Sequence, residues 1–177
     1  MSRIYRGVER RFTPWKNGGG ETAEILCQPE GAGFDDFDWR ISTAKVGQSG
    51  PFSVFPGIDR VLTVIEGGAM RLSFETGDSV TCHPDGVPHG FSGAVACHAD
   101  LSDAPLLDLN LMVRAPLKGF VYQSGKEVAN DGLVAAYLFA LEDHPARGLN
   151  RHDLLELPLA STTVPEGTLV LTINRGA

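Results

Sequence analysis

Strict two-residue alternation of apolar and polar side chains, cut short again and again by glycine and proline, is the strongest constraint on how this chain folds. Met70, Leu72 and Phe74 alternate with Arg71, Ser73 and Glu75, and Leu169, Leu171 and Ile173 alternate with Val170, Thr172 and Asn174. Phe37, Trp39 and Ile41 oppose Arg40, Ser42 and Ala44, and Leu107, Leu109, Leu111 and Val113 oppose Asp108, Asn110, Met112 and Arg114. Successive side chains of a strand point to opposite faces, so this period predicts strands buried on one face. The 21 glycines and 11 prolines punctuate these segments, at roughly the 8–12 residue rhythm of a β-sandwich or barrel. Turn chemistry falls between them at Glu66-Gly67-Gly68, Thr76-Gly77-Asp78, Asn130-Asp131-Gly132 and Pro165-Glu166-Gly167. Helix is scarce. Leu133 to Leu141 reads as strand or short helix, and Arg147 to Leu155 has room for a helical turn.

With 177 residues the chain can bury one sizeable core, and no linker or low-complexity stretch divides it. A single unit is expected. The apolar run Leu133 to Leu141 is far shorter than a bilayer span and the first twelve residues are polar, so neither a membrane segment nor a signal peptide is predicted. Asp and Glu total 22 against 15 Lys and Arg, a formal charge of −7 with no basic run. Nucleic-acid binding, which needs clustered cations, is not expected. Three cysteines, Cys27, Cys82 and Cys97, form no close pair, which fits ordinary thiols in a reducing, cytoplasmic setting.

The chemistry concentrates between Gly47 and His89. The metal-binding frame of the cupin barrel runs Gly, five residues, His-x-His, three or four residues, Glu, six residues, Gly. Here the same spacing reads Gly47, Ser53-Val54-Phe55, Arg60, Gly67, and the second half of the frame ends in Pro84-Asp85-Gly86-Val87-Pro88-His89. The hairpin-shaping glycines and prolines are kept, except that Gly77, which opens the second half, lies one residue further upstream than the pattern has it, and the ligands are replaced. A divalent first-row ion requires several convergent imidazole, thiolate or carboxylate donors. A hydroxyl, a phenyl ring, a guanidinium and His89 do not make such a set, and no metal or other cofactor is expected. A guanidinium in that place suits a carboxylate instead, through paired hydrogen bonds.

Around this frame, Arg40 and Ser42 lie opposite Trp39 and Ile41, and Asn110 lies on the polar side of its strand. Either reading is open for these faces: solvated exterior, or the lined interior of a ligand-holding barrel. Arg40 together with Arg60 favours the interior. Asp59 and Arg60 are neighbours, so on a strand they face opposite ways. The string Pro14-Trp15-Lys16-Asn17-Gly18-Gly19-Gly20 is not a phosphate-cradling loop, which places its lysine after the glycines. Its glycines are explained by a tight crossing beneath Trp15, by close approach to a ligand with Lys16 and Asn17 as polar arms, or by both. The candidate ligand-binding residues are thus Lys16, Asn17, Arg40, Ser42, Ser53, Arg60, His89 and Asn110, with Trp15, Gly18, Gly19 and Gly20 structural and no catalytic residue assigned.

The same strings, with Trp39-Arg40-Ile41-Ser42, Gly50-Pro51-Phe52-Ser53, Phe55-Pro56-Gly57-Ile58-Asp59-Arg60 and Asp108-Leu109-Asn110-Leu111-Met112, resemble the HutD/Ves family over about residues 4 to 115. Ala115 departs from the second Arg that the family often carries after Arg114. The resemblance implies an all-β, cupin-like double-stranded β-helix or barrel with little helix, two-lobed (bicupin): a first lobe to about residue 115 and a second over about 116 to 177. It also implies a non-enzymatic regulator of histidine utilisation that senses a carboxylate such as N-formylglutamate, or a stress-related interaction protein of the Ves type. A metal-independent isomerase or hydrolase, with His89 as general base and Arg60 as anion clamp, is the catalytic alternative. Barrels of this kind also form homodimers through an edge strand, and no segment of the sequence names that edge.

Overall fold

The computed structural model describes residues 2–128, 130–160 and 162–176. Its strands in chain order are β1 (Ile4–Tyr5), β2 (Thr13–Pro14), β3 (Gly20–Gln28), β4 (Trp39–Val46), β5 (Gly50–Pro51) and β6 (Ile58–Gly67). There follow β7 (Met70–Phe74), β8 (Ser79–Cys82), β9 (His89–Ser92), β10 (Cys97–Leu101), β11 (Leu106–Arg114) and β12 (Lys118–Gln123). The last are β13 (Glu127–Val128), β14 (Leu133–Ala140), β15 (Leu154–Glu156), β16 (Thr162–Thr163) and β17 (Thr168–Asn174). They pair antiparallel in a six-stranded sheet β2-β3-β4-β11-β6-β9, a four-stranded sheet β5-β10-β7-β8, a five-stranded sheet β1-β15-β14-β17-β12 and the pair β13-β16. The fold is all-β, as the alternation and punctuation predict, and cupin-like, as the family resemblance implies.

Burial on both faces, not one, is what the sheets add. The six-stranded sheet turns Leu26, Ile41, Leu109, Leu111 and Val113 toward Tyr137, Phe139, Leu154, Leu169, Leu171 and Ile173 of the five-stranded sheet, and the two close one apolar layer. Its other face meets the four-stranded sheet, where Val46, Leu62, Val64, Met70, Leu72 and Ala99 pack together. A third cluster, with Leu138, Leu149, Val164 and Val170, lies on the far side of the five-stranded sheet. β17 therefore buries Val170 and Thr172 as well as Leu169, Leu171 and Ile173. Each fully buried large aliphatic side chain contributes roughly 1.5–3 kcal/mol, so this central layer is the main source of cohesion.

Local expectations meet three different outcomes. Leu133 to Ala140 is strand, because it can bury both faces between β15 and β17. Helix near 147 is confined to one 3₁₀ turn, Pro145–Arg147, ended by Gly148 at φ 65°, and Leu154–Glu156 is strand. Phe37 does not share the face of Trp39 and Ile41. It precedes β4, and packs instead with Cys27, Ile58 and Met112 at one end of the barrel. Ile4–Tyr5 pairs with Leu155–Leu154, so the N-terminal segment starts on the five-stranded sheet before it crosses to the other.

Candidate functional site

The interior face of the six-stranded sheet is laid out by register. Cys27, Arg40, Met112, Arg60 and Phe91 stand side by side in one row across β3, β4, β11, β6 and β9. The next row is Glu24, Ser42, Asn110, Leu62 and His89, and the one after that Thr22, Ala44, Asp108 and Val64. Opposite residues of a ladder point to the same side, so polar groups from three central strands converge. They open on a cleft of about 970 Å³. Its walls come from this face, from the loop after β5 carrying Phe52, Ser53 and Phe55, from the β2–β3 hairpin and from the N-terminal segment. The loop is fixed by Phe52 N–H to the Cys97 carbonyl at 3.0 Å and Phe55 N–H to the Gly93 carbonyl at 2.7 Å.

Arg60 is the centre of the site. It is 7% exposed, while its neighbour Asp59 faces outward and pairs with Lys118 at 2.8 Å. Its guanidinium carbon lies 5.4, 5.7 and 5.2 Å from the ring centroids of Phe52, Phe55 and Phe91. Nε reaches along the strand to Asn110 Oδ1 at 3.4 Å. Among the described residues no carboxylate forms an ion pair with it. Burial lowers its pKa, opposed by the charge of Asp108. A buried cation held by three ring faces and one long hydrogen bond keeps most of its donors for something else.

Asp108 lines the same cleft at 1% exposure, and its Oδ1 has no hydrogen-bond partner among the described residues. Burial pushes its carboxyl up to about 7 against the pull of Arg60 and of the Ala44 main-chain N–H. Arg40 is committed in part: Nε donates to Glu24 at 2.8 Å and Nη1 to Ser42 Oγ at 3.3 Å, with the Phe34 ring 5.0 Å away.

The tight-crossing explanation of the glycine string holds in the hairpin. Trp15 N–H donates to the Gly20 carbonyl at 2.8 Å, and the indole N–H to Thr22 Oγ1 at 2.7 Å. A Cβ on Gly20 would stand 2.5 Å from the Lys45 carbonyl oxygen and 3.0 Å from the indole, so only glycine passes beneath Trp15. Gly18 turns at φ 72° and Gly19 N–H is held by Asn17 Oδ1 at 2.9 Å, which leaves Lys16 and Asn17 on the cleft wall.

Of the eight residues singled out as ligand-binding, Lys16, Asn17, Arg40, Ser42, Ser53, Arg60 and Asn110 line one cleft. His89 does not: it is half-buried opposite Leu62, one row from Phe91. Arg114 is also spent elsewhere, donating to the carbonyls of Phe37 at 2.8 Å and Phe34 at 3.2 Å. Sequence reasoning missed the N-terminal contribution of Arg6, Glu9, Arg10 and Arg11. Four arginines within the first eleven residues were the available signal, legible only once β1 is known to cross the cleft. Arg6 and Gly7 are tied to Asp153 at 2.6 and 2.7 Å, Arg10 donates to the His152 carbonyl, and the Arg10 Nε is buried without a partner. Burial lowers the Arg10 pKa to about 10.

Six cationic side chains thus face three carboxylates in the cleft of a chain whose net charge is −7. An excess of positive charge of this kind favours anions over cations. The positions where a cupin carries its metal ligands hold Ser53, Phe55, Arg60 and His89, which are not a donor set for a divalent ion. Among the described residues no three His, Cys, Asp or Glu side chains converge on a metal-sized point.

Fold and site together define a cupin-like protein with an arginine-centred cleft in place of a metal centre. The HutD family model matches residues 8–143, and the chain belongs to the HutD family. An uncharacterised 21.2 kDa protein in the hutC 3′ region of Pseudomonas putida is 36% identical over 80% of this chain and 74% of its own length. Protein Ves of Citrobacter koseri is 41% identical over 101 residues, 56% of this chain, and the match spans about half the length of that relative. The solved structure of HutD from Pseudomonas fluorescens SBW25 superposes over the whole of both chains with a TM-score of 0.84 at 27% identity. Among the described residues no helix is long and apolar enough to cross a membrane.

Proposed function

We propose that the cleft binds a small carboxylate from histidine degradation, such as N-formylglutamate, and that the protein regulates histidine utilisation without transforming its ligand. The observation that carries this reading is Arg60: a buried guanidinium, ringed by Phe52, Phe55 and Phe91, with no carboxylate among the described residues paired to it. A planar cation with free donors is matched by the two oxygens of a carboxylate, and the ring walls exclude competing water. Lys16, Arg10 and Arg11 at the rim supply a second positive region for a dicarboxylate. The pathway is supported by the family and by the Pseudomonas putida relative, a protein in the hutC 3′ region. His89 lies off the cleft wall, so no side chain there favours a general-base role built on it.

Thermal unfolding with N-formylglutamate and with urocanate tests the proposal. Ligand at a hundred times its Kd stabilises by about 2.7 kcal/mol, and Arg60→Ala removes the shift. No shift with any carboxylate of the pathway, or an equal shift in Arg60→Ala, would overturn the reading.

A further inference from the structure

Asp108 is a group of the cleft whose chemistry a carboxylate on Arg60 leaves unexplained. It is 1% exposed, it lines the cleft, and Oδ1 has no partner. An unfilled buried acceptor of this kind is costly and calls for an occupant. From β6 it faces the charge of Arg60, and from β4 the Ala44 main-chain N–H. The thiol of Cys82 faces it from β8, with Cys97 of β10 behind, and Lys16 and Arg10 line the same cleft from the N-terminal side. An anion seated on Arg60 places a second negative charge beside Asp108. Two like charges in one desolvated site do not both persist.

We infer that Asp108 is a second ligand-contacting residue, which takes up a proton on binding and donates a hydrogen bond to an oxygen of the anion held by Arg60. This rests on the carboxylate-binding reading and deepens it. The proton moves from solvent to Oδ1 as the ligand enters and returns to solvent as it leaves. With Arg60 and a protonated Asp108 both donating, the cleft selects ligands that offer only acceptors at that end. N-acylated amino acids and dicarboxylates fit, whereas a free amino acid brings an ammonium group against the guanidinium. The raised pKa of Asp108 agrees, since its proton is already partly in place near neutrality.

Titration calorimetry of N-formylglutamate at pH 8, in phosphate and in Tris, reads the proton directly from the difference in apparent enthalpy. The expected result is uptake of most of one proton per ligand, affinity that falls about tenfold per pH unit above 8, and no comparable heat with glutamate. Asp108→Asn, which keeps a donor, abolishes the uptake and flattens the pH profile. Arg10, whose pKa lies about 10, contributes little uptake at pH 8. Wild-type binding with no proton uptake, while Arg60→Met still abolishes binding, overturns the inference and leaves the carboxylate reading standing. Uptake that persists in Asp108→Asn assigns the proton to another group and also overturns it. If no pathway carboxylate binds at all, both fall together.

Discussion

Replacing Arg60 with methionine separates a residue kept for a ligand from one kept for the fold. In the free protein the guanidinium gains three ring contacts, at about 0.5–1 kcal/mol each. It gains little from a hydrogen bond to Asn110 at 3.4 Å, long for its type. Against these stands its burial to 7% exposure without an ion pair, and the effective penalty for a buried ion is several kcal/mol. Methionine is shorter, ending near the position of Nε, but it fills much of the same space, gains about 0.3–1.5 kcal/mol from each ring its sulfur contacts, and removes the charge. Asp108 loses its nearby cation, but neutralises by taking a proton. The stability of Arg60→Met is therefore expected within about 1 kcal/mol of wild type, or above it, by urea unfolding at pH 6. For a chain of this size that is a change in Tm of about 2–4 °C per kcal/mol. The ligand-dependent stabilisation disappears in the same variant. A loss of 3 kcal/mol or more would mean that Arg60 belongs to a structural network, as when one partner of a buried pair is removed, and the reasoning fails.

Other outcomes follow from the same geometry. Asp108 has a folded pKa of about 7 against an ordinary 3.8, so its contribution to stability is fully present below 3.8 and is lost as pH rises through 7; Asp108→Asn is expected to match wild type near pH 4 and to be more stable by a few kcal/mol at pH 9, measured by urea unfolding across pH. Asp153 has the opposite sign: burial pushes its pKa up, but the Gly7 and Asn150 main-chain N–H groups and Arg6 outweigh it and hold it below its ordinary value. Its contribution is present above that ordinary value and lost as pH falls, and Asp153→Ala is expected to cost about 3 kcal/mol and to increase proteolysis at residues 6–12. Gly20→Ala forces a Cβ to 2.5 Å from a backbone oxygen and is expected to destabilise by about 1–3 kcal/mol, whereas Gly33→Ala, with open space at that position, stays within about 0.5 kcal/mol of wild type.

The fold was legible because strand patterning is local, and because glycines and prolines mark where strands end. Gly67, for instance, turns at φ 87° with its α-carbon against Pro105 and Leu106, as its Glu66-Gly67-Gly68 setting suggests. The barrel interior was legible for a different reason. The spacing from Gly47 to Gly67 fixes which side chains project inward, whatever their chemistry, so Ser53 and Arg60 could be placed from the frame alone. His89 shows the limit of that argument, because a frame gives the strand and the facing direction but not which neighbour stands between a side chain and the cleft. The number of faces a strand buries was also out of reach: alternation in β17 reads as half-exposed, and only the sheet packed on each side makes Thr172 as buried as Leu171. Phe37 was misplaced because alternation was extended one turn beyond the start of β4.

What no local pattern could give is the crossing of the N-terminus. Arg6, Arg10 and Arg11 form no motif, and β15, which pairs with the strand β1 just before them, lies some 150 residues away. Yet the crossing decides the electrostatics of the site. Without residues 6–11 the cleft retains Lys16, Arg40 and Arg60 against Glu24 and Asp108, and Arg40 is already paired with Glu24. With them, Arg10 and Arg11 are added against Glu9, while Arg6 is neutralised by Asp153, which immediately precedes β15. The positive character of the cleft therefore depends on a tether whose anchor, Asp153 with His152 and Asn150, belongs to the C-terminal half of the chain. The N-terminal wall of the cleft is thereby joined to the C-terminal half of the chain through a short, identifiable set of hydrogen bonds.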